Sequence, residues 1–176
     1  IYAGLQYNSV LNVFYGVSQA NSLNTIYIID GNTYSVIGTF PIGAWRVRGI
    51  TFNPNTNTLY VSQYDASAIN PSMIKIYNCD TLALINNIAV PSSGTANRNG
   101  YYQITYDETL NKVLCPFGLP TTNATELANS GIVLIDCDTN TISNTYYTGK
   151  GWNQDVCYDP NTNCLNVTFN NNTGVN

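Results

Sequence analysis

An all-β fold is what this 176-residue chain predicts, and three observations predict it. The first is the stretch 49–65, GITFNPNTNTLYVSQYD. Ile50 and Phe52 alternate with small or polar residues, Asn53-Pro54-Asn55-Thr56-Asn57 is a turn cluster, and Leu59-Tyr60-Val61 opens a second strand. Proline presets φ and asparagine tolerates left-handed backbone, so the turn has a mechanism. The second observation is that this hairpin recurs. YDETLNKVLC at 106–115 and YDPNTNCLNV at 158–167 each open on an aromatic, follow it with Asp, and place an aliphatic seven residues after the aromatic. YNSVLNVFY at 7–15 keeps the spacing with a degraded turn. The third is that the intervening segments also repeat, each as a β-run, an Asp/Asn-Thr turn and a second β-run.

In chain order, hairpin 7–15 is followed by IYIIDGNTYSVIGTFP at 26–41, with its turn at Asn32-Thr33. Hairpin 49–65 is followed by IKIYNCDTLALINNIAVP at 74–91, turning at Asp80-Thr81. Hairpin 106–115 is followed by IVLIDCDTNTISNTYYTG at 132–149, turning at Asp138-Thr139. The last hairpin has no such successor before residue 176. Two hairpin types alternating with a period of roughly 45 to 58 residues make four-stranded antiparallel units, the signature of β-propeller blades. The units run over residues 1–43, 44–91, 92–149 and, in part, 150–176, about three and a half blades of one propeller domain.

The pairing of NPNTNTLYVS with IYIIDGNTYSVIGTFPIG resembles the YVTN family of β-propeller repeats, common in archaeal surface-layer and other secreted proteins. The first unit departs most, since Ser9-Val10-Leu11 stands in place of the Pro-Asn-Thr turn. The resemblance implies that the strand at 48–52 is innermost, with 58–63, 73–77 and 84–90 following outward, and that 102–106 and 154–158 are the next innermost strands. Fold does not carry function with it, because propellers host many unrelated activities. About three and a half blades leave a ring open, and open sheet edges are normally covered. A longer parent chain, or partner subunits, would complete the structure.

Bulk properties agree with an exposed, extracellular setting. Hydrophobic residues make up 44 %, enough for a core, while charged residues make up only 9 %, against roughly 25 % in average domains. Asn, Thr, Ser and Tyr supply the polar surface, so stability should depend weakly on pH. No run is long and apolar enough for a transmembrane helix, and a chain that opens on Ile1 reads as a trimmed precursor. Five cysteines suit an oxidising compartment. Cys157 and Cys164 flank the last Asp-Pro-Asn-Thr-Asn turn and would face each other across the hairpin, within disulfide reach. Cys79, Cys115 and Cys137 have no assigned pairing. Sequons stand at Asn123, Asn166 and Asn171, with Asn123 in a long loop.

Candidate binding residues gather in the blade-joining loops at 43–48, 92–101 and 149–153. Arg46, Arg48, Arg98 and Lys150 are four of the six basic residues; Trp45, Trp152 and Tyr101 lie beside them. Aromatic planes next to cations bind glycans or anionic groups by stacking and charge-assisted hydrogen bonds. The bland account is that the aromatics pack between blades and the arginines satisfy carbonyls. An acidic chain of net charge −4 makes a poor phosphate footprint, so no nucleic acid is expected.

For catalysis the inventory is thin. There is no histidine, hence no Ser-His or Cys-His pair. Asp107-Glu108 sit in a hairpin turn and point to opposite faces. Asp136-Cys137-Asp138 and Asp159-Pro160-Asn161 resemble loose calcium ligands, yet Asp and Asn in tight turns ordinarily cap the backbone; no metal or cofactor is expected. The chain therefore reads as a non-enzymatic structural or adhesive propeller module on a cell surface or virus particle, contacting protein subunits or glycans without inserting into a membrane. The alternative is a propeller enzyme, lyase or dehydrogenase-like, whose catalytic residues lie outside this chain.

Overall fold

A computed structural model describes residues 4–17, 25–43, 46–64, 72–91, 103–118, 123–151 and 153–169. Blade 1 is the sheet β1 (Leu5–Asn8), β2 (Val13–Val17), β3 (Thr25–Asp30) and β4 (Val36–Pro41), paired in that order. Blade 2 repeats it with β5 (Arg46–Asn53), β6 (Thr58–Tyr64), β7 (Met73–Asn78) and β8 (Leu84–Ala89). Blade 3 comprises β9 (Thr105–Asp107), β10 (Lys112–Phe117), β11 (Gly131–Asp136) and β12 (Thr141–Tyr147), with the short helix α1 (Ala124–Ala128) between β10 and β11. Blade 4 holds β13 (Asn153–Asp159) and β14 (Cys164–Phe169). Every described pairing is antiparallel. The first strands of successive blades lie side by side, β1 by β5, β5 by β9 and β9 by β13. This is a propeller-like, all-β architecture with the first strands innermost.

The turns carry the repeat. The first hairpin of each blade ends on an asparagine in the left-handed region: Asn12, Asn57, Asn111 and Asn163, with φ of 54°, 49°, 49° and 55°. Asparagine reaches this region with less steric penalty than most residues. In three blades the opening tyrosine fastens it: Tyr7, Tyr106 and Tyr158 donate Oη to Oδ1 of Asn12, Asn111 and Asn163 at 2.9, 3.3 and 2.8 Å. Blade 2 has Phe52 there, and Asn57 Oδ1 instead accepts from Asn8 Nδ2 of blade 1 at 3.0 Å. In the second hairpin Asp30, Asn78 and Asp136 each accept from two backbone N–H groups and a threonine hydroxyl through Oδ1. Of the carboxylates that resembled calcium ligands, Asp136 and Asp159 accept from donors of their own turns, while Asp138 Oδ1 accepts from Asn111 Nδ2 of the neighbouring hairpin at 2.9 Å.

Direct cross-strand partners share a face, which separates each blade into two sides. The front of blade 1 (Val13, Tyr15, Val17, Ile26, Phe40) packs on the back of blade 2 (Ile50, Phe52, Leu59, Val61, Tyr77). The front of blade 2 (Tyr60, Ile74, Ile76, Ile88) covers the back of blade 3 (Ile104, Val113, Cys115, Val133, Ile135). Leu114, Ile132 and Leu134 of blade 3 meet Val156, Tyr158, Leu165 and Val167 of blade 4. The core is therefore a series of blade-to-blade seams. The outer strands β4, β8 and β12 each carry a register shift that leaves Ile37, Ile85 or Ser143 outside the pairing. Such bulges twist an edge strand away from further pairing.

Candidate functional site

The blade-joining loops are described only in part. Trp45, Arg98, Tyr101 and Trp152 lie outside the described residues. Arg46 is exposed at the start of β5, opposite Tyr64. Arg48 is half-buried at a register shift in the same strand, between the pairs Val47–Gln63 and Gly49–Ser62. The equivalent shift in β13 falls at Gln154, between Asn153 and Asp155. A bulge re-aims the side chain it carries, and these two stand at the loop-bearing ends of innermost strands. Lys150 is exposed in the β12–β13 connection, with Nζ 6.0 Å from the Phe169 ring centroid. So Arg46 and Arg48 stand on blade 2, while Lys150 stands between blades 3 and 4.

One cation that sequence reasoning passed over has a defined partner. Lys75 Nζ donates to the Ile42 carbonyl at 2.6 Å, and Gln63 Nε2 donates to the same oxygen at 3.2 Å. Partial burial lowers the Lys75 pKa. An alternating strand pattern gives no sign of this contact, because the acceptor comes from the linker behind the previous blade.

The cysteines sort into two environments. Cys79, Cys115 and Cys137 are buried free thiols. Cys79 lies against Tyr15 of blade 1, and burial pushes its thiol up to about 11. Cys137 lies against Tyr60 of blade 2, and burial raises it and Cys115 as well. Cys157 and Cys164 are exposed and also free. They do not face each other as the turn spacing suggests: Cys157 is opposite Asn166, and Cys164 is opposite Asp159. The physical reason is the register set by left-handed Asn163 and its bond from Tyr158, which puts the two thiols on a diagonal of one face. Diagonal neighbours lie about 7–8 Å apart between Cα atoms, beyond easy disulfide reach. In the native chain an iodoacetamide pulse followed by intact mass is expected to add two adducts quickly, with three more only after unfolding. Thiolate access decides this order. No adduct at Cys157 and Cys164 before reduction would mean that the hairpin shifts register to bridge them.

Asp136 is the most perturbed acid. Lys112 Nζ donates to its Oδ2 at 3.0 Å, and Thr139 binds Oδ1 through its amide and hydroxyl. With the lysine bond first and these donors behind it, its pKa falls below the ordinary 3.8 to about 2. The folded value lies below the unfolded one. Its stabilisation is therefore complete above about pH 4 and is lost as pH falls toward 2. The denaturation midpoint is expected to drop across that window, and to drop less in Asp136→Asn. Equal slopes in both proteins would assign the acid sensitivity elsewhere. Asp30 and Asp159 are also lowered, by donors within their own turns.

Of the three sequons, Asn123 is exposed and caps α1, its Oδ1 accepting from the Thr125 and Glu126 amides. Asn166 is exposed on β14, and Asn171 lies outside the described residues. Among the described residues no group of three His, Cys, Asp or Glu side chains could hold a metal ion, and no helix is long and apolar enough to cross a membrane.

Among the described residues, the back of blade 1 is uncovered. Leu5 is 62 % exposed and Tyr7 43 %, where their blade 2 equivalents, Ile50 and Phe52, are 3 % and 5 %. Tyr34 and Val36 extend the same surface, and Phe14 stacks between Tyr7 and Tyr34 at centroid distances of 4.9 and 6.4 Å. Sequence reasoning missed it because the same strand pattern is buried in every later blade. No family model matches the chain, and no curated protein matches it.

Proposed function

We propose that this chain is a non-enzymatic structural or adhesive β-propeller module of an extracellular surface, a cell surface or a virus particle, working through protein or glycan contacts. The observation that carries the reading is the uncovered apolar back of blade 1, since contiguous exposed apolar surface marks an interaction site. Blade 1 holds one charged side chain among its described residues, Asp30, and its pairing with Val13 puts it on the front, not on this face. The YVTN-like repeats, the low charged fraction and the sequons at Asn123, Asn166 and Asn171 support a secreted setting. Arg46, Arg48 and Lys150 are the described members of a second candidate contact set of this reading, suited to glycans, to which the sequence adds Trp45, Arg98, Tyr101 and Trp152.

The titratable groups lean the same way. Asp30 and Asp159 are held as anions by turn donors and Asp136 by Lys112 together with its turn donors, while burial holds Tyr15, Tyr60, Cys79 and Cys115 neutral. Catalytic acids and bases need pKa values near the working pH, and these shifts run away from it. The test is attachment of the purified, labelled chain to the outer surface of its source cells or particles. The double variant Tyr7→Lys, Phe14→Lys is expected to reduce attachment about tenfold or more, the scale at which truncating an interface anchor costs over 1 kcal/mol. Circular dichroism would confirm that the fold survives. Unchanged attachment by a folded variant would remove blade 1 as the contact surface.

A further inference from the structure

Residue by residue, the uncovered back of blade 1 is the back of a covered blade. In the cross-strand register Leu5 pairs with Gly16 and Tyr7 with Phe14, as Ile50 pairs with Val61 and Phe52 with Leu59. Val156 pairs with Val167 and Tyr158 with Leu165 in the same way, and Tyr106 pairs with Val113. On the third strand Ile29 occupies the place of Tyr77 and Ile135, each opposite the equivalent residue of its second strand. All three of those backs are seams closed by the front of the preceding blade.

We infer that the back of blade 1 is a blade-docking surface, and that its occupant is the front of another four-stranded blade with branched aliphatics on its third strand. At each existing seam that strand supplies the cover: Ile26, then Ile74 and Ile76, then Ile132 and Leu134. The face itself narrows the choice. Where blades 2 and 3 have Cys79 and Cys137 against the preceding blade's tyrosine, blade 1 has Gly31, and a Cβ there would lie 2.3 Å from Asn12 Oδ1 and 2.6 Å from the Asn12 carbonyl. Where Asn140 accepts the Tyr60 hydroxyl, blade 1 has Tyr34. With neither group present, the face fits a front of the blade 3 kind, with Leu114 where the others carry Tyr15 and Tyr60.

Among the described residues, a second copy of this chain offers no free apolar front to fill this place. The fronts of blades 1 to 3 are already covered. The described front of blade 4 presents Asp155, Cys157, Asp159, Cys164, Asn166 and Thr168, a polar surface. It would desolvate two carboxylate-bearing positions against Leu5, Tyr7 and Phe14 without apolar gain.

The inference rests on the contact-surface reading above and names its partner. The test joins a duplicate of residues 103–154 directly ahead of Gly4 in the full chain, so that blade 3's front meets blade 1's back at native spacing. The extended chain carries its open back on the added blade, through Ile104, Val113, Val133 and Ile135, so the readouts are taken at blade 1 itself. The extended chain's Tyr7 and Tyr34 should resist acetylation by N-acetylimidazole, and its melting midpoint should rise by several degrees. Ile29→Lys is expected to cancel both changes. An added blade that stays unfolded by circular dichroism, or leaves both tyrosines reactive, overturns the inference. If the added blade fails to dock while Tyr7→Lys, Phe14→Lys still abolishes surface attachment, the contact surface stands and only its occupant is wrong. If it docks but attachment ignores those substitutions, the failure belongs to the function instead.

Discussion

Tyr60→Ala is expected to destabilise the protein by about 3–5 kcal/mol, the range for deleting a large buried aromatic. The ring is fully buried in the seam between blades 2 and 3, among Ile76, Val113, Ile135 and Cys137. Its hydroxyl donates to Asn140 Oδ1 at 2.8 Å across the seam. Alanine therefore opens a cavity and strands an acceptor, whereas Tyr60→Phe removes only the bond, at about 1–2 kcal/mol. Asn86 Nδ2 donates to the Asn140 carbonyl at 2.9 Å, so the turn keeps one anchor in either variant. Urea unfolding of the two variants separates packing from hydrogen bonding. A Tyr60→Ala loss no larger than that of Tyr60→Phe would show that the seam collapses into the vacated space.

Gly131→Ala is expected to cost about 3 kcal/mol or more, at the upper end of overpacking. A Cβ on Gly131 would lie 2.0 Å from the Tyr146 carbonyl oxygen and 2.9 Å from its carbon. Both are backbone atoms of the neighbouring strand β12, so no side-chain rotation relieves the clash. The pair Gly131–Tyr147 would separate, and with it the β11–β12 register next to Phe117, whose ring meets Tyr147 edge-on at 6.1 Å. Gly149→Ala is the control. Nothing lies within 4 Å of its Cβ, but its φ is +64°, so only backbone strain of about 1–2 kcal/mol is charged. A thermal melt in which Gly149→Ala falls further than Gly131→Ala would contradict this ordering.

Much of the fold was legible because its punctuation is local. An aromatic, an Asx residue and a small polar turn set φ and hydrogen bonds within a few residues, so Asn57, Asn111 and Asn163 announce their hairpins without help from the rest of the chain. The alternation of Ile50 and Phe52, or of Ile74 and Ile76, marks a half-buried face for the same reason. What local reading gave wrongly was the Cys157–Cys164 pair. Residue counting centred the hairpin on its turn, while the left-handed Asn163 sets the register two residues off a direct match. A shift of that size changes no residue's face but moves every partner.

The candidate site was less legible. Basic and aromatic residues stand out by composition, so Arg46, Arg48 and Lys150 were found, yet composition does not say which blade each belongs beside. The bond from Lys75 to the Ile42 carbonyl and the seat of Cys79 against Tyr15 are contacts between segments far apart in sequence. Most telling is blade 1. Leu5, Tyr7, Phe14 and Ile29 read in sequence like the buried Ile50, Phe52, Leu59 and Tyr77. From its residues alone, then, this chain settled its strands, its turns and the repetition of a four-stranded unit, because those follow from dihedral preference and from side-chain alternation within one hairpin. Which face of each unit lies against a neighbour, and which is left open, depended on the stacking of whole sheets, a sum of contacts that no single segment contains.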